Sequence, residues 1–301
     1  RTLFMSRSYD KRSQGMKIMN LKEQFLKGLE DLYPAEELES FFYLLTEHFL
    51  KLSRLDVALD PDFGVPPEIL NKFETSMSRL VQYEPIQYII GSSEFLNLNI
   101  IVDKHVLIPR PETEELVQWI IQDVEGEKKK SNLSILDIGT GSGCIAIALA
   151  KNLIYANVDA LEISEEALKL AQKNADKNGV EVSFFRKDIF QIDVLQKNYD
   201  IIISNPPYVT LSEKEKMSPN VVEHEPDQAL FVPENDPLIY YKHILKLAES
   251  NLNDNGSIYF EINEYLSEDL MKLKEIQFFS NLELRKDIFG KDRMIKCSKD
   301  E

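Results

Sequence analysis

The chain has 301 residues, 43% hydrophobic and 29% charged, which is ordinary globular usage for about two domains and excludes disordered or low-complexity classes. Its 35 Lys and Arg against 51 Asp and Glu leave a net charge of −16, which repels a phosphate backbone unless a local basic patch overrides the field. Two cysteines, Cys144 and Cys297, and four scattered histidines give neither a disulfide framework nor zinc-site spacing, so no metal is expected.

Residues 1–15 are polar and mixed in charge, with no apolar stretch of a signal peptide, and are expected to be a disordered or non-native extension. No run of 18 apolar residues occurs, so no membrane partner is expected and the reading is a reduced, cytoplasmic protein. Residues 16–90 are expected to form a helical bundle. Leu21, Phe25, Leu29 and Leu32 recur at helical spacing, as do Phe41, Leu44, Leu45, His48, Phe49 and Leu52. Pro34 opens a second helix near its first turn. Pro66 and Pro67 open a third, with Ile69, Leu70, Phe73, Met77, Leu80 and Val81 apolar.

Residues 91–109 are expected to be a β-hairpin linker, with Asn97 and Asn99 at its turn. Residues 110–301 form the second expected domain. Pro109 and Pro111 hold Arg110 on a stiff approach to a helix that runs to about Val124. Glu125–Asn132 reads as a solvated loop. From Leu133 strands and helices alternate. Strands are expected at Ser134–Ile138, Ala156–Leu161, Val182–Phe185, Asp200–Ser204 and Ser257–Ile262, with helices at Cys144–Asn152, Glu165–Asn178, Pro237–Asn251 and Ser267–Gln277. This is an α/β, Rossmann-like doubly wound sheet, which binds ligands at the carboxyl ends of its strands. Leu282–Lys286 and Arg293–Cys297 have no helix between them and predict an antiparallel terminal hairpin.

The strand at Ile135–Ile138 runs into Gly139-Thr140-Gly141-Ser142-Gly143 and then an apolar helix. Glycines let the chain turn sharply and let a ligand approach. A dinucleotide fingerprint would have its third glycine where Cys144 stands, and no Lys-Ser/Thr pair of a P-loop is present. Acids mark the strand ends. Asp137 ends the first, Glu162 ends the second and is placed to accept ribose hydroxyls, and Asp188 follows the third, near an adenine edge. Such a set suits S-adenosylmethionine, which is positive at sulfur and carries no phosphate.

The fourth strand ends in Asn205-Pro206-Pro207-Tyr208. Two prolines fix φ and remove N–H donors, leaving carbonyls to project. The Asn205 side-chain oxygen and the Pro206 carbonyl would accept both N–H bonds of a planar NH2 group, and Tyr208 would wall a flat substrate. Amide nitrogens are poor nucleophiles because their lone pair is delocalised. Two acceptors align such a nitrogen with the methyl group and stabilise its developing charge, with no strong base required.

With Glu84-Pro85-Ile86-Gln87-Tyr88, Leu107-Ile108-Pro109-Arg110-Pro111-Glu112-Thr113-Glu114, Glu225-Pro226 and Asp287-Ile288-Phe289-Gly290, these motifs resemble the release-factor glutamine methyltransferase (HemK-like) family of class I S-adenosylmethionine-dependent enzymes. The likeness covers residues 17–297. It implies a substrate-recognising helical domain, a hairpin linker and a catalytic domain. The implied activity is N5-methylation of the glutamine in the Gly-Gly-Gln motif of bacterial class 1 peptide chain release factors. S-adenosylhomocysteine is the implied second product. Gly139, Thr140, Gly141, Ser142, Gly143, Glu162, Asp188, Ile189 and Asn205 would meet the cofactor, and Asn205 to Tyr208 the substrate glutamine. Three departures stand out. Glu162 replaces the usual Asp, Ile189 stands where an aromatic is common, and Glu261-Ile262-Asn263-Glu264 lacks a glycine.

A glutamine methyltransferase of ribosomal proteins is the nearest alternative, and the Pro109–Glu114 junction argues against it. A nucleic-acid adenine N6-methyltransferase would need a basic groove, and the only basic run is Lys128-Lys129-Lys130. No direct nucleic-acid contact and a monomer are expected. Arg110 reads either as a hinge ion pair or as a group near substrate, and His224 as a surface residue.

Overall fold

The computed structural model describes residues 15–126 and 132–299. The expected extension therefore lies outside the described residues except for Gly15, as does most of the loop expected at Glu125–Asn132. The chain divides into two compact units between Ile90 and Gly91.

The first unit is helical: α1 Ile18–Leu29, α2 Ala35–Leu50, α3 Arg54–Leu59, α4 Pro67–Leu80 and α5 Ile86–Ile90. Its apolar stripes meet in one core. Phe73 of α4 lies within ring contact of Phe25, Phe42 and Phe49, at centroid distances of 6.2, 5.7 and 5.8 Å. Pro34 and Pro66 stand at the caps of α2 and α4, one position before the helix, and Pro67 takes the first helical position its fixed φ suits. Leu44 and Val81 fall on the solvent side instead of the core. Helix α3 has too few residues to show a period, but its Ser53–Asp56 capping box was present in the sequence as a start signal.

The second unit begins with the hairpin β1 Ser92–Phe95 and β2 Leu98–Ile101. Its turn is Leu96-Asn97, both at positive φ, and Asn99 pairs with Glu94 inside the ladder rather than turning. A two-residue turn of this hand matches the twist of the strands. Helix α6 Pro111–Gly126 follows. Then come β3 Leu133–Ile138, α7 Cys144–Asn152, β4 Ala156–Glu162, α8 Glu165–Asn178, β5 Ser183–Arg186 and β6 Tyr199–Ser204. A small excursion follows: β7 Val209–Thr210, α9 Pro219–Val222, α10 Asp227–Leu230 and β8 Phe231–Val232. The chain ends with α11 Ile239–Asn251, β9 Leu252–Glu261, α12 Ser267–Met271, β10 Asn281–Lys286 and β11 Asp292–Ser298.

One seven-stranded sheet has the order β10-β11-β9-β6-β3-β4-β5. Strands β5 through β9 in that row are parallel, and β11 and β10 close the edge antiparallel. Central strands covered on both faces read as continuous apolar runs, as Ile201-Ile202-Ile203 and Ile135-Leu136 do. The helix expected over Ser267–Gln277 stops at Met271 and resumes as a 3-10 turn at Ile276–Phe278. Leu270, Ile276 and Phe279 are all buried. Spacings of six and nine residues cannot share one helical face, so the chain must break to bury them.

Asn174 of α8 ties the hairpin to the sheet. It is fully buried, accepts from Ile101 N at 2.7 Å, and donates to Ile101 O and Ser142 O, each at 2.9 Å. One carboxamide thus pairs with β2 as a backbone would and also fixes the glycine loop.

Candidate active site

The chain order reverses between β3 and β6: β4 and β5 lie to one side and β9 to the other. Open α/β sheets bind ligands outside the carboxyl ends at such a point. A cleft of about 440 Å³ lies there. Its floor is the glycine loop after β3, and its sides are the ends of β4, β5 and β6. The Lys104–Arg110 segment, Thr113, Pro226, Gln228 and Ala229 cover it, with Tyr240 and Ile244 of α11.

Gly139, Gly141 and Gly143 all have positive φ, which favours glycine. They serve different ends. A Cβ on Gly139 or Gly141 would point into open space. One on Gly143 would come within 3.0 Å of Ile147 and 3.1 Å of Ala171. Gly143 does not line the cleft. Its missing side chain lets α7 and α8 approach.

Asp137 is fully buried behind this loop. Its Oδ2 accepts from Thr140 Oγ1 at 2.6 Å, while Oδ1 makes no hydrogen bond of normal geometry, although the Ala146 N–H moderates its charge. Burial pushes its pKa up to about 7, Thr140 and Ala146 hold it down, and nearby Glu162 raises it further. By contrast, burial pushes the Cys144 thiol up to about 12, so it is no nucleophile.

The Glu162 carboxylate accepts from Gly141 N at 2.9 Å, Ile163 N at 2.8 Å and Ser164 N at 3.0 Å. A carboxylate has about four acceptor positions. Three hold the main chain here, so one position is left, against the two a ribose diol would use if both hydroxyls donated. Asp188 accepts from Phe190 N at 3.0 Å and caps a 3-10 turn. Ile189 lines the cleft, and so does Phe190, which stacks obliquely on Tyr240 at 4.9 Å. The aromatic group thus stands one position after Ile189, and Tyr240, 50 positions further along the chain, carries no local signal that places it in the cleft.

Asn205, Pro206 and Pro207 line the cleft. Ser204 Oγ donates to Ile138 O at 2.7 Å and locks the end of β6 to β3. Asn205 Nδ2 donates to Thr113 Oγ1 at 3.3 Å, which leaves Oδ1 as the acceptor of that carboxamide. Tyr208 does not line the cleft as expected. Its ring packs on the sheet's core, and its hydroxyl donates to Glu261 Oε1 at 3.0 Å. Burial and the Glu261 charge push its pKa well up, so it stays a neutral phenol.

Arg110 also lines the cleft and is paired with Glu225, whose side chain is 1% exposed. Glu225 Oε2 accepts from Ile108 N at 3.1 Å. Arg110 is thus both ion-paired and part of the cleft lining. The carboxylate of the Glu225-Pro226 segment is what fastens the Pro-Arg-Pro segment. His224 is half-buried and does not line the cleft. Among the described residues no group of three His, Cys, Asp or Glu could hold a metal, and no helix is long and apolar enough to cross a membrane.

The residues fit S-adenosylmethionine. The loop offers open glycine positions at Gly139 and Gly141, and Glu162 and Asp188 line the cleft as acids suited to a cationic, phosphate-free ligand, with Asp137 buried behind the loop that shapes it. This fold, with an Asn-Pro-Pro end at its switch point, defines a class I methyltransferase.

Comparison with known proteins narrows the class. Residues 118–228 match the methyltransferase small domain family, and residues 22–91 match the PrmC N-terminal domain. The release factor glutamine methyltransferase of Flavobacterium psychrophilum is 49% identical over 94% of this chain and 99% of its own length. That of Bacteroides thetaiotaomicron is 43% identical over 91% and 97%. Among solved structures, a methyltransferase from Pyrococcus furiosus superposes with a TM-score of 0.51 at 17% identity, over 76% of this chain and 100% of that one. The catalytic domain of hMettl16 gives 0.53 at 16%, over 78% and 83%. These last two share the fold alone. The chain belongs to the release factor glutamine methyltransferase family.

Proposed function

We propose that the protein transfers the methyl group of S-adenosylmethionine to the side-chain amide nitrogen of the glutamine in the Gly-Gly-Gln motif of class 1 peptide chain release factors. Bound S-adenosylmethionine supplies an electrophilic methyl carbon on a positive sulfur. Gly139, Thr140, Gly141 and Ser142 would cradle it, with Glu162 and Asp188 toward its ribose and adenine and Phe190 and Tyr240 as the apolar wall. The observation that carries the reading is the orientation of Asn205. One N–H of its NH2 goes to Thr113, which sets the carboxamide so that its oxygen is the group offered to a substrate.

That oxygen and the Pro206 carbonyl would take the two amide N–H bonds and turn the nitrogen lone pair toward the methyl carbon. As the nitrogen loses conjugation its N–H bonds become more acidic, and both hydrogen bonds strengthen. The match to the PrmC N-terminal domain supports the first unit as the part that recognises the release factor. We take the enzyme to work in the cytoplasm as a monomer, without metal and without direct nucleic-acid contact.

Purified release factor should accept label from methyl-labelled cofactor, and its Gly-Gly-Gln Gln→Ala variant should accept none. Equal labelling of that variant, or preferential labelling of ribosomal protein or DNA, would refute the assignment.

Glu162→Gln tests the cofactor contact. Glutamine keeps the shape but replaces one acceptor oxygen with a donor, which then faces a backbone N–H. Calorimetry should show S-adenosylmethionine binding weaker by about 1.5–3 kcal/mol, roughly tenfold to a hundredfold. Unchanged affinity in the folded variant removes Glu162 from the site.

A further inference from the structure

Glu261 ends β9 beside the end of β6, where Ser204 pairs with Phe260. It is 2% exposed, yet among the described residues no cation lies at hydrogen-bond distance from it. Its two oxygens accept from two hydroxyls. Thr113 Oγ1 donates to Oε2 at 2.6 Å, and Tyr208 OH donates to Oε1 at 3.0 Å. Burial pushes the carboxyl's pKa up, while the two hydroxyls and the charge of Arg293 pull it down. A buried carboxylate held this way is costly, and the cleft chemistry derived so far does not use it.

A threonine hydroxyl has one proton and two lone pairs. The short bond to Glu261 takes the proton. Only lone pairs then remain toward Asn205, 3.3 Å away, so Asn205 must present its NH2 on that side. If the hydroxyl proton were free to turn, the Asn205 carboxamide could flip and show NH2 to the cleft. A substrate NH2 would then meet donors instead of acceptors.

We propose that Glu261 and Thr113 are positioning residues for methyl transfer: the buried Glu261 carboxylate fixes the direction of the Thr113 hydroxyl, and the hydroxyl fixes which face of the Asn205 carboxamide meets the substrate nitrogen. The same carboxylate holds Tyr208, so one group braces both ends of Asn205–Tyr208 from behind the cleft. Neither Thr113 nor Glu261 touches the reacting atoms. The proposal rests on the glutamine-methylation reading and adds to it the device that sets the clamp's polarity.

The test compares Thr113→Val, which keeps the shape and removes the hydroxyl, with Thr113→Ser, which keeps the hydroxyl. With full-length enzyme and release factor, Thr113→Val should lower kcat by about 10²-fold, the scale of a misplaced reacting group, and Thr113→Ser should restore it to within about threefold of wild type. Cofactor affinity should stay within about twofold in both. Glu261→Gln should cost less kcat when added to Thr113→Val than in the wild-type background, because the branch through Thr113 is already broken and only the one through Tyr208 remains. A readout independent of turnover is proton exchange at the Asn205 side-chain NH2 by nuclear magnetic resonance. It should be protected in wild type and Thr113→Ser and unprotected in Thr113→Val. If Thr113→Val does not fold, Thr113→Ala takes its place with the same readouts.

Normal kcat with retained protection in Thr113→Val overturns the proposal, as does Thr113→Ser being as slow as Thr113→Val. A wild-type enzyme that leaves release factor unmethylated, while the exchange pattern holds, overturns the substrate reading and leaves the relay standing.

Discussion

Asn205→Ala should slow single-turnover methyl transfer by about 10²–10³-fold at saturating cofactor and release factor, the usual cost of losing one preorganised hydrogen-bonding group. The fold should survive, because Asn205 is only half-buried and Ser204, not Asn205, locks the strand end to β3. Cofactor affinity should change much less, since the ribose and adenine contacts proposed for Glu162 and Asp188 lie on other strand ends. A cofactor titration and a melting curve run beside the kinetics separate these effects. A near-normal rate would show that Asn205 does not align the nitrogen. A loss traced wholly to unfolding or to cofactor binding would remove the support for the clamp.

Arg110→Met should destabilise the second unit by about 3 kcal/mol. Removing one partner of a buried ion pair costs about 3–5 kcal/mol, and the lower end applies because the Arg110 side chain is 33% exposed. The variant leaves the buried Glu225 carboxylate accepting from the Ile108 N–H but without its cation. Arg110→Met with Glu225→Gln should recover most of the loss, because the neutral amide leaves no buried charge and its oxygen still accepts from the Ile108 N–H. Denaturant midpoints and slopes read both variants. An Arg110→Met variant within about 1 kcal/mol of wild type would mean the pair behaves as a surface one. So would a double variant no better than the single.

The elements that position the cleft were legible because their signals are local. A buried strand, a glycine loop and an apolar helix follow one another over Leu133–Asn152, and Asn-Pro-Pro-Tyr closes the isoleucine strand. The sheet's reversal followed from strands alternating with helices, and the terminal hairpin from two strands without a helix between them. What stayed hidden depends on partners far apart in the chain. Thr113 meets Glu261 across 148 positions and Asn205 across 92. No spacing rule relates them. Glu261-Ile262-Asn263-Glu264 stood out in the sequence only for lacking a glycine, yet the Glu261 carboxylate is the centre of that network. The direction of Tyr208 was not legible, because an aromatic after two prolines does not reveal which side of the sheet edge it takes. The hydroxyl bond to Glu261 decides it. Gly143 resembled its two neighbours in sequence and differs from them in what its missing Cβ makes room for.

The central claim is that one particular nitrogen, the glutamine amide of a release factor, receives the methyl group. Mass spectrometry of release factor treated with this enzyme and S-adenosylmethionine, followed by fragment mapping, tests it most directly. The account predicts one added methyl group, on the side-chain amide of the Gly-Gly-Gln glutamine. It is contradicted if that glutamine returns unmodified while the methyl group is found on another residue, on a ribosomal protein or on nucleic acid.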